Sequence, residues 1–164
     1  MDDTVETALI IGGTGMLRGA TLWLIARSRK TVLVSRRAGQ FRANGIVHAI
    51  DADWNDPRFS AKVRAAIEDG SEIANALLWI HDPEPVLAWL MPLLSKARVV
   101  LVLGSMDGSP ELIESAGNVA TVRLGGMPTA SGRRWLTNAE ISAGAIEALQ
   151  TGKSGIVGEL AGIR

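Results

Sequence analysis

Cysteine and tyrosine are both absent from the 164 residues. No disulfide, thiolate nucleophile or cysteine-ligated metal can form, and no phenol is available as an acid or base. Phenylalanine and histidine occur twice each, and lysine only at Lys30, Lys62, Lys96 and Lys153. Neither sign of charge prevails, because 17 basic residues balance 17 acidic ones. That balance argues against a nucleic-acid groove or an anionic membrane surface as the main partner. No apolar run reaches the ~18 residues that span a bilayer. The start, "MDDTVETALI", is acidic and lacks the basic-then-apolar order of a secretory leader, so a cytoplasmic protein is expected. No grouping of His, Asp and Glu has metal-ligand spacing, and no metal is expected.

What is present is apolar and periodic. Hydrophobic residues make up 47% of the chain, enough for one core in a single domain over residues 1–164. Short apolar runs read as strands at 7–13, 31–35, 45–50, 73–81, 98–105, 118–125 and 155–160. Helical spacing occupies 16–28, 55–70 (with Gly70 past its end), 84–97 and 136–152. Thr137 and Glu140 spell a capping box for the last of these. The polar "GGMPTASGRR" (125–134) reads as a loop. Strands alternating with helices imply an α/β fold: one doubly wound, mostly parallel sheet of about seven strands, with helices on both faces.

The first strand runs into "IIGGTGMLRG", with glycine at 12, 13, 15 and 19. Glycines at a strand-to-helix junction let the chain turn tightly and let a pyrophosphate approach the backbone. The helix N-terminus then offers free N–H groups and a favourable dipole. From Thr14 the run reads T-G-x-x-x-G. It resembles the cofactor turn of the short-chain dehydrogenase/reductase superfamily, although Thr21 stands where that turn usually carries one more glycine. The resemblance implies a Rossmann fold and a nicotinamide dinucleotide held by Gly12, Gly13, Thr14, Gly15, Met16, Leu17 and Arg18. Leu103, Gly104 and Ser105, after the fifth strand, would lie near the nicotinamide.

Arginines in place of an acid indicate the cofactor. An acid about twenty residues past the turn would bind the ribose 2′-hydroxyl of NAD. That position is Ser35, followed by Arg36 and Arg37. Arginine clamps a 2′-phosphate with charge-assisted hydrogen bonds, so NADP(H) is expected over NAD(H). In "DADWND" the resemblance assigns an adenine contact to Asp53, with Asp51 as the rival. Asn55 or Asp56 before Pro57 suits a helix cap.

The chemistry of such reductases is missing. They exchange a proton through a Tyr-x-x-x-Lys pair, and this chain has no tyrosine and no lysine between Lys96 and Lys153. About a dozen residues (106–117) separate strands five and six, close to the minimum for a parallel crossover. The helix that carries that pair in the family does not fit there. Ser105 matches the family's serine, and His81 beside Asp82 stands at the mouth of strand four. Both are catalytic candidates, and both also read as turn residues. The expectation is an atypical NADP(H)-dependent oxidoreductase of unknown small-molecule substrate. Its alternative is a non-catalytic NADP(H) sensor or a protein partner's regulator.

Five tryptophans are many for this composition. Trp23 and Trp79 read as core. Trp89, in a segment apolar almost all round, suggests a homodimer face. Trp135 would cover the sheet's carboxyl edge or staple the last helix. "GRRWLTNAEISAGAIEAL" beside "GGTGML" is similar to a small group of bacterial short reductase-like proteins.

Overall fold

Seven β-branched and leucine-rich runs become seven strands of one parallel sheet. The computed structural model describes residues 6–41, 45–67, 72–105, 107–108, 110, 113 and 116–160. The strands are β1 (Thr7–Ile11), β2 (Lys30–Ser35), β3 (Val47–Asp51), β4 (Ile73–Trp79), β5 (Arg98–Leu103), β6 (Val119–Leu124) and β9 (Gly155–Val157). Their spatial order is β3-β2-β1-β4-β5-β6-β9. The order reverses at β1, so the crevice between the carboxyl ends of β1 and β4 is where such sheets take ligands.

Alternation along the strands builds two cores. Leu9, Ile11, Val99, Leu101 and Leu103 face α2 (Phe59–Ile67) and α3 (Pro83–Leu90). Ala8, Ile10, Val100 and Val102 face α1 (Arg18–Arg27) and α4 (Asn138–Thr151). β1 and β5 are buried on both faces, which is why they read as continuous apolar runs rather than as alternation. No helix among the described residues is long and apolar enough to cross a membrane.

Two segments differ from the reading of the sequence. The helix expected over 84–97 stops at Leu90 and continues as a 3-10 turn, Met91–Leu94. Pro92 lacks the N–H that would carry the α-helical ladder onward. The expected loop at 125–134 contains a hairpin, β7 (Met127–Thr129) with β8 (Gly132–Arg134). Gly126 bridges to Glu159 beyond β9, which ties the hairpin's base to the sheet edge. Asp56, not Asn55, caps the entry to α2 by accepting the Arg58 N–H at 2.8 Å. The Gly70 stop signal, and half of 106–117, lie outside the described residues. Of that crossover, Ile113 is buried in the α2/α3 core.

Candidate functional site

The turn after β1 needs glycine for both its backbone conformation and its close packing. Gly12 has φ +80° and its N–H donates to the Val34 carbonyl at 2.9 Å. A Cβ on Gly12 would stand 2.2 Å from the Trp79 carbonyl oxygen. A Cβ on Gly13 would stand 2.3 Å from the Thr21 hydroxyl oxygen. That hydroxyl is fully buried and donates to the Gly13 carbonyl at 2.7 Å. Thr21, which replaces the last glycine of the family's turn, thus closes the turn with its own side chain. Gly19 lets α1 approach α4, where a Cβ would meet Ser142 at 3.1 Å.

Gly15 differs from its neighbours: nothing lies within 4 Å of a Cβ built there. The space beside it belongs to a cavity of about 490 Å³, lined by Thr14, Gly15, Met16, Arg36, Arg37 and the Trp54–Trp79–His81 cluster among others. The Ser35 hydroxyl donates to the Thr14 Oγ1 at 3.1 Å and accepts the Arg37 N–H at 3.2 Å. Ser35 therefore joins the glycine turn to the backbone of Arg37.

The remaining expected cofactor residues divide into three groups. Leu17 and Leu103 are fully buried and take part in the two cores; only their backbone could serve a ligand. Arg18 is set beside the cavity, donating to Gln40 at 2.8 Å with its guanidinium 4.9 Å from the Phe41 ring centre. Asp53 accepts the Asn55 N–H at 3.0 Å and lies 4.0 Å from Arg36 Nε, so it anchors the rim without lining the cavity. Asp51 accepts the Gly39 N–H at 2.8 Å. Gly104 and Ser105 line a second cavity.

That second cavity, about 480 Å³, shares Met16, Trp79 and His81 with the first. The two form one cleft along the carboxyl edge of the sheet. Asp107 accepts the Gly104 N–H at 2.7 Å, and Arg123 of β6 donates to the Gly104 and Asp107 carbonyls. This clip fixes the turn after β5 and presents Ser105, exposed, to the cleft. Leu124, Leu136, Ile141 and Trp135 supply the far wall.

Three rings that the sequence scattered meet at the centre of the cleft. His81 lies 5.6 Å, centre to centre, from both Trp54 and Trp79. Trp79 sits at the core's edge: it is half-buried at the last residue of β4, packed against the α1/α4 core while lining the cleft. Trp54 carried no expectation; its signal was an aromatic immediately after β3, on the sheet's functional edge. Trp89 finds cover inside the chain, against Phe59 (6.2 Å) and beneath the Arg64 guanidinium (5.3 Å). Trp135 is 90% exposed and lines the cleft at the foot of the hairpin.

The hairpin's attachment is electrostatic. Arg134 of β8 donates to both carboxylate oxygens of Glu140, at 2.8 and 3.1 Å, and the full Thr137–Glu140 capping box forms beneath it. The Arg134 guanidinium, followed by the Thr137 backbone N–H, holds the Glu140 carboxyl down from its ordinary 4.5 to about 2. The folded state thus releases this proton more readily than the unfolded chain. The stability it contributes is complete above pH 4.5 and is lost as pH falls towards about 2. Acidification across that window should lower the urea midpoint more in the wild type than in a Glu140→Gln variant. Equal slopes would show that the pair contributes nothing.

No protein-family model matches the sequence, and no curated protein matches it. Solved structures do. A short-chain dehydrogenase from Burkholderia cenocepacia J2315, in complex with NADP, superposes with a TM-score of 0.65 at 17% identity, over 98% of this chain and 91% of that one. The fold is that of the short-chain dehydrogenases. An apo SCOR enzyme from Clostridium thermocellum gives a TM-score of 0.69 at 15% identity, over 93% of this chain and 91% of that one. A metagenomic short-chain oxidoreductase in complex with NADP gives 0.59 at 14% identity, over 96% and 97% of the two chains. Within this short-chain dehydrogenase fold, the T-G-x-x-x-G turn stands between β1 and α1 and Ser105 follows β5.

Proposed function

We propose that the chain binds NADP(H) across this cleft as an atypical oxidoreductase of the short-chain type. The observation that carries the reading is the joint at Ser35. A hydroxyl occupies the place of the NAD-selecting carboxylate, and Arg36 and Arg37 follow it on the cavity wall. Two cations beside a hydroxyl suit a 2′-phosphate, with the Asp53 carboxylate 4.0 Å from Arg36. The open space at Gly15, beside the N-terminus of α1, suits the pyrophosphate. The NADP complexes of two structural neighbours agree with this choice.

The bound dinucleotide would supply hydride chemistry. The chain's own part is to orient and to exclude water. Met16, Trp79 and His81 stand where the two cavities join, so they would border the reactive ring. Ser105 offers a hydroxyl, His81 an exposed imidazole and Asp107 a carboxylate on that wall.

Titration of the purified protein with NADPH and with NADH, followed by energy transfer from tryptophan, tests the reading. Trp54 and Trp79 line the cleft, so bound nicotinamide should quench them. NADPH is expected to bind at least tenfold more tightly than NADH, the margin of about one charge-assisted hydrogen bond. Absence of binding by either would remove the proposal.

A further inference from the structure

We propose that the second half of the cleft takes a flat, conjugated quinone as the electron acceptor. This rests on the NADP(H) reading for the electron donor but not for the binding site itself.

Three observations converge. First, the walls are aromatic and unsatisfied. Trp135 is 90% exposed beside the cavity, and Trp79 is half-buried on the same cavity. Indole faces reward a planar ring system more than a small aliphatic one. Second, no Lys or Arg among the described residues lines this half. Arg134 is committed to Glu140, Arg133 to the Glu159 carbonyl and Arg123 to the turn after β5. An anionic substrate would find no partner, whereas a neutral one needs none. The carboxylate that does line the cavity, Asp107, already accepts the Gly104 N–H.

Third, the acid that carbonyl reduction requires is absent. Reducing an isolated carbonyl makes an alkoxide, whose basicity lies near that of hydroxide. Reducing a quinone makes a phenolate, with a pKa of about 10. The quinone product is thus far less basic, and it needs no tyrosine–lysine device to collect its proton. A protein with no tyrosine loses little on such a substrate.

The step balances as quinone + NADPH + H⁺ → hydroquinone + NADP⁺. The quinone accepts two electrons and one hydrogen as a C–H bond of the reduced dinucleotide breaks. The transferred hydride ends in one O–H bond of the hydroquinone, and the second O–H bond takes its proton from water.

Menadione is the probe, and the absence of cysteine removes its usual side reaction with thiols. Its binding should be measured calorimetrically on the full chain with no dinucleotide present, then on Trp135→Ala and Trp135→Phe. NADPH titrations run in parallel. Micromolar binding, weakened at least tenfold by Trp135→Ala and restored by Trp135→Phe, is the expected result, with NADPH affinity unchanged in both variants. NADPH oxidation at 340 nm should then proceed with menadione and not with a benzaldehyde control. Binding of NADPH without menadione would overturn this inference and leave the NADP(H) reading standing. Binding of menadione without NADPH would overturn that reading and, with it, the redox step. Faster turnover of benzaldehyde than of menadione would also overturn the quinone assignment.

Discussion

A Gly12→Ala variant is expected to lose about 3 kcal/mol of stability, which lowers Tm by roughly 10 °C in a domain of this size. Two costs add. The first is the left-handed φ of +80°, which alanine adopts with strain. The second is the 2.2 Å approach of the new Cβ to the Trp79 carbonyl oxygen. That oxygen is backbone, at the end of a strand paired on both sides, so it cannot swing away as a side chain would. Gly15→Ala provides the contrast. Its Cβ meets no protein atom within 4 Å, so thermal unfolding should be unchanged. If pyrophosphate occupies that space, NADPH affinity falls about tenfold, the loss of roughly one backbone hydrogen bond. Unfolding at the wild-type temperature in Gly12→Ala would show that the turn relaxes. Full NADPH affinity in Gly15→Ala would place the phosphates elsewhere.

The second large effect concerns the arginine pair. Arg36→Ala with Arg37→Ala should weaken NADPH binding about a hundredfold and NADH binding little, since each lost charge-assisted hydrogen bond removes about 1.5–3 kcal/mol. The effect should shrink with added salt, because Arg36 is mostly exposed and its field is screened within about 10 Å at 0.1 M. Splitting the pair tells more. Arg36 lies 4.0 Å from Asp53, whereas Arg37 has its backbone N–H fixed by Ser35. Arg37 is therefore the better anchored clamp, and Arg37→Ala alone should account for the larger share. Equal loss of NADH and NADPH would mean that the arginines hold the pyrophosphate and do not select the 2′-phosphate.

The sheet was legible because buried parallel strands are runs of one kind of residue. β5, "RVVLVL", can be little else. The capping box at Thr137 was legible for a similar reason: its two members are three residues apart and need no tertiary partner. The hairpin was not. "GGMPTASGRR" has no alternation, and its base is tied to the sheet by Gly126 pairing with Glu159, far along the chain. The Trp54–His81–Trp79 cluster was hidden for the same cause. It assembles from residues after β3 and at the end of β4, strands that flank β2 and β1 rather than each other. Trp79 was half legible, because a strand's apolar run says that it enters the core, not where the core gives way to the cleft. Thr21 shows the opposite case: a residue that looked like a defect in a motif supplies the hydrogen bond that closes it.

The central place of β1 has a consequence for how the chain leaves the ribosome. Thr7 pairs on one side with Lys30 and on the other with Ile73. A nascent chain that ends before Ile73 can assemble β1, β2 and β3, but β1, whose five residues are all buried in the finished sheet, then has an open edge. Such an edge is a template for pairing with another chain. The interval of synthesis between Asp51 and Trp79 is the period of greatest exposure to aggregation, and arrival of β4 closes it.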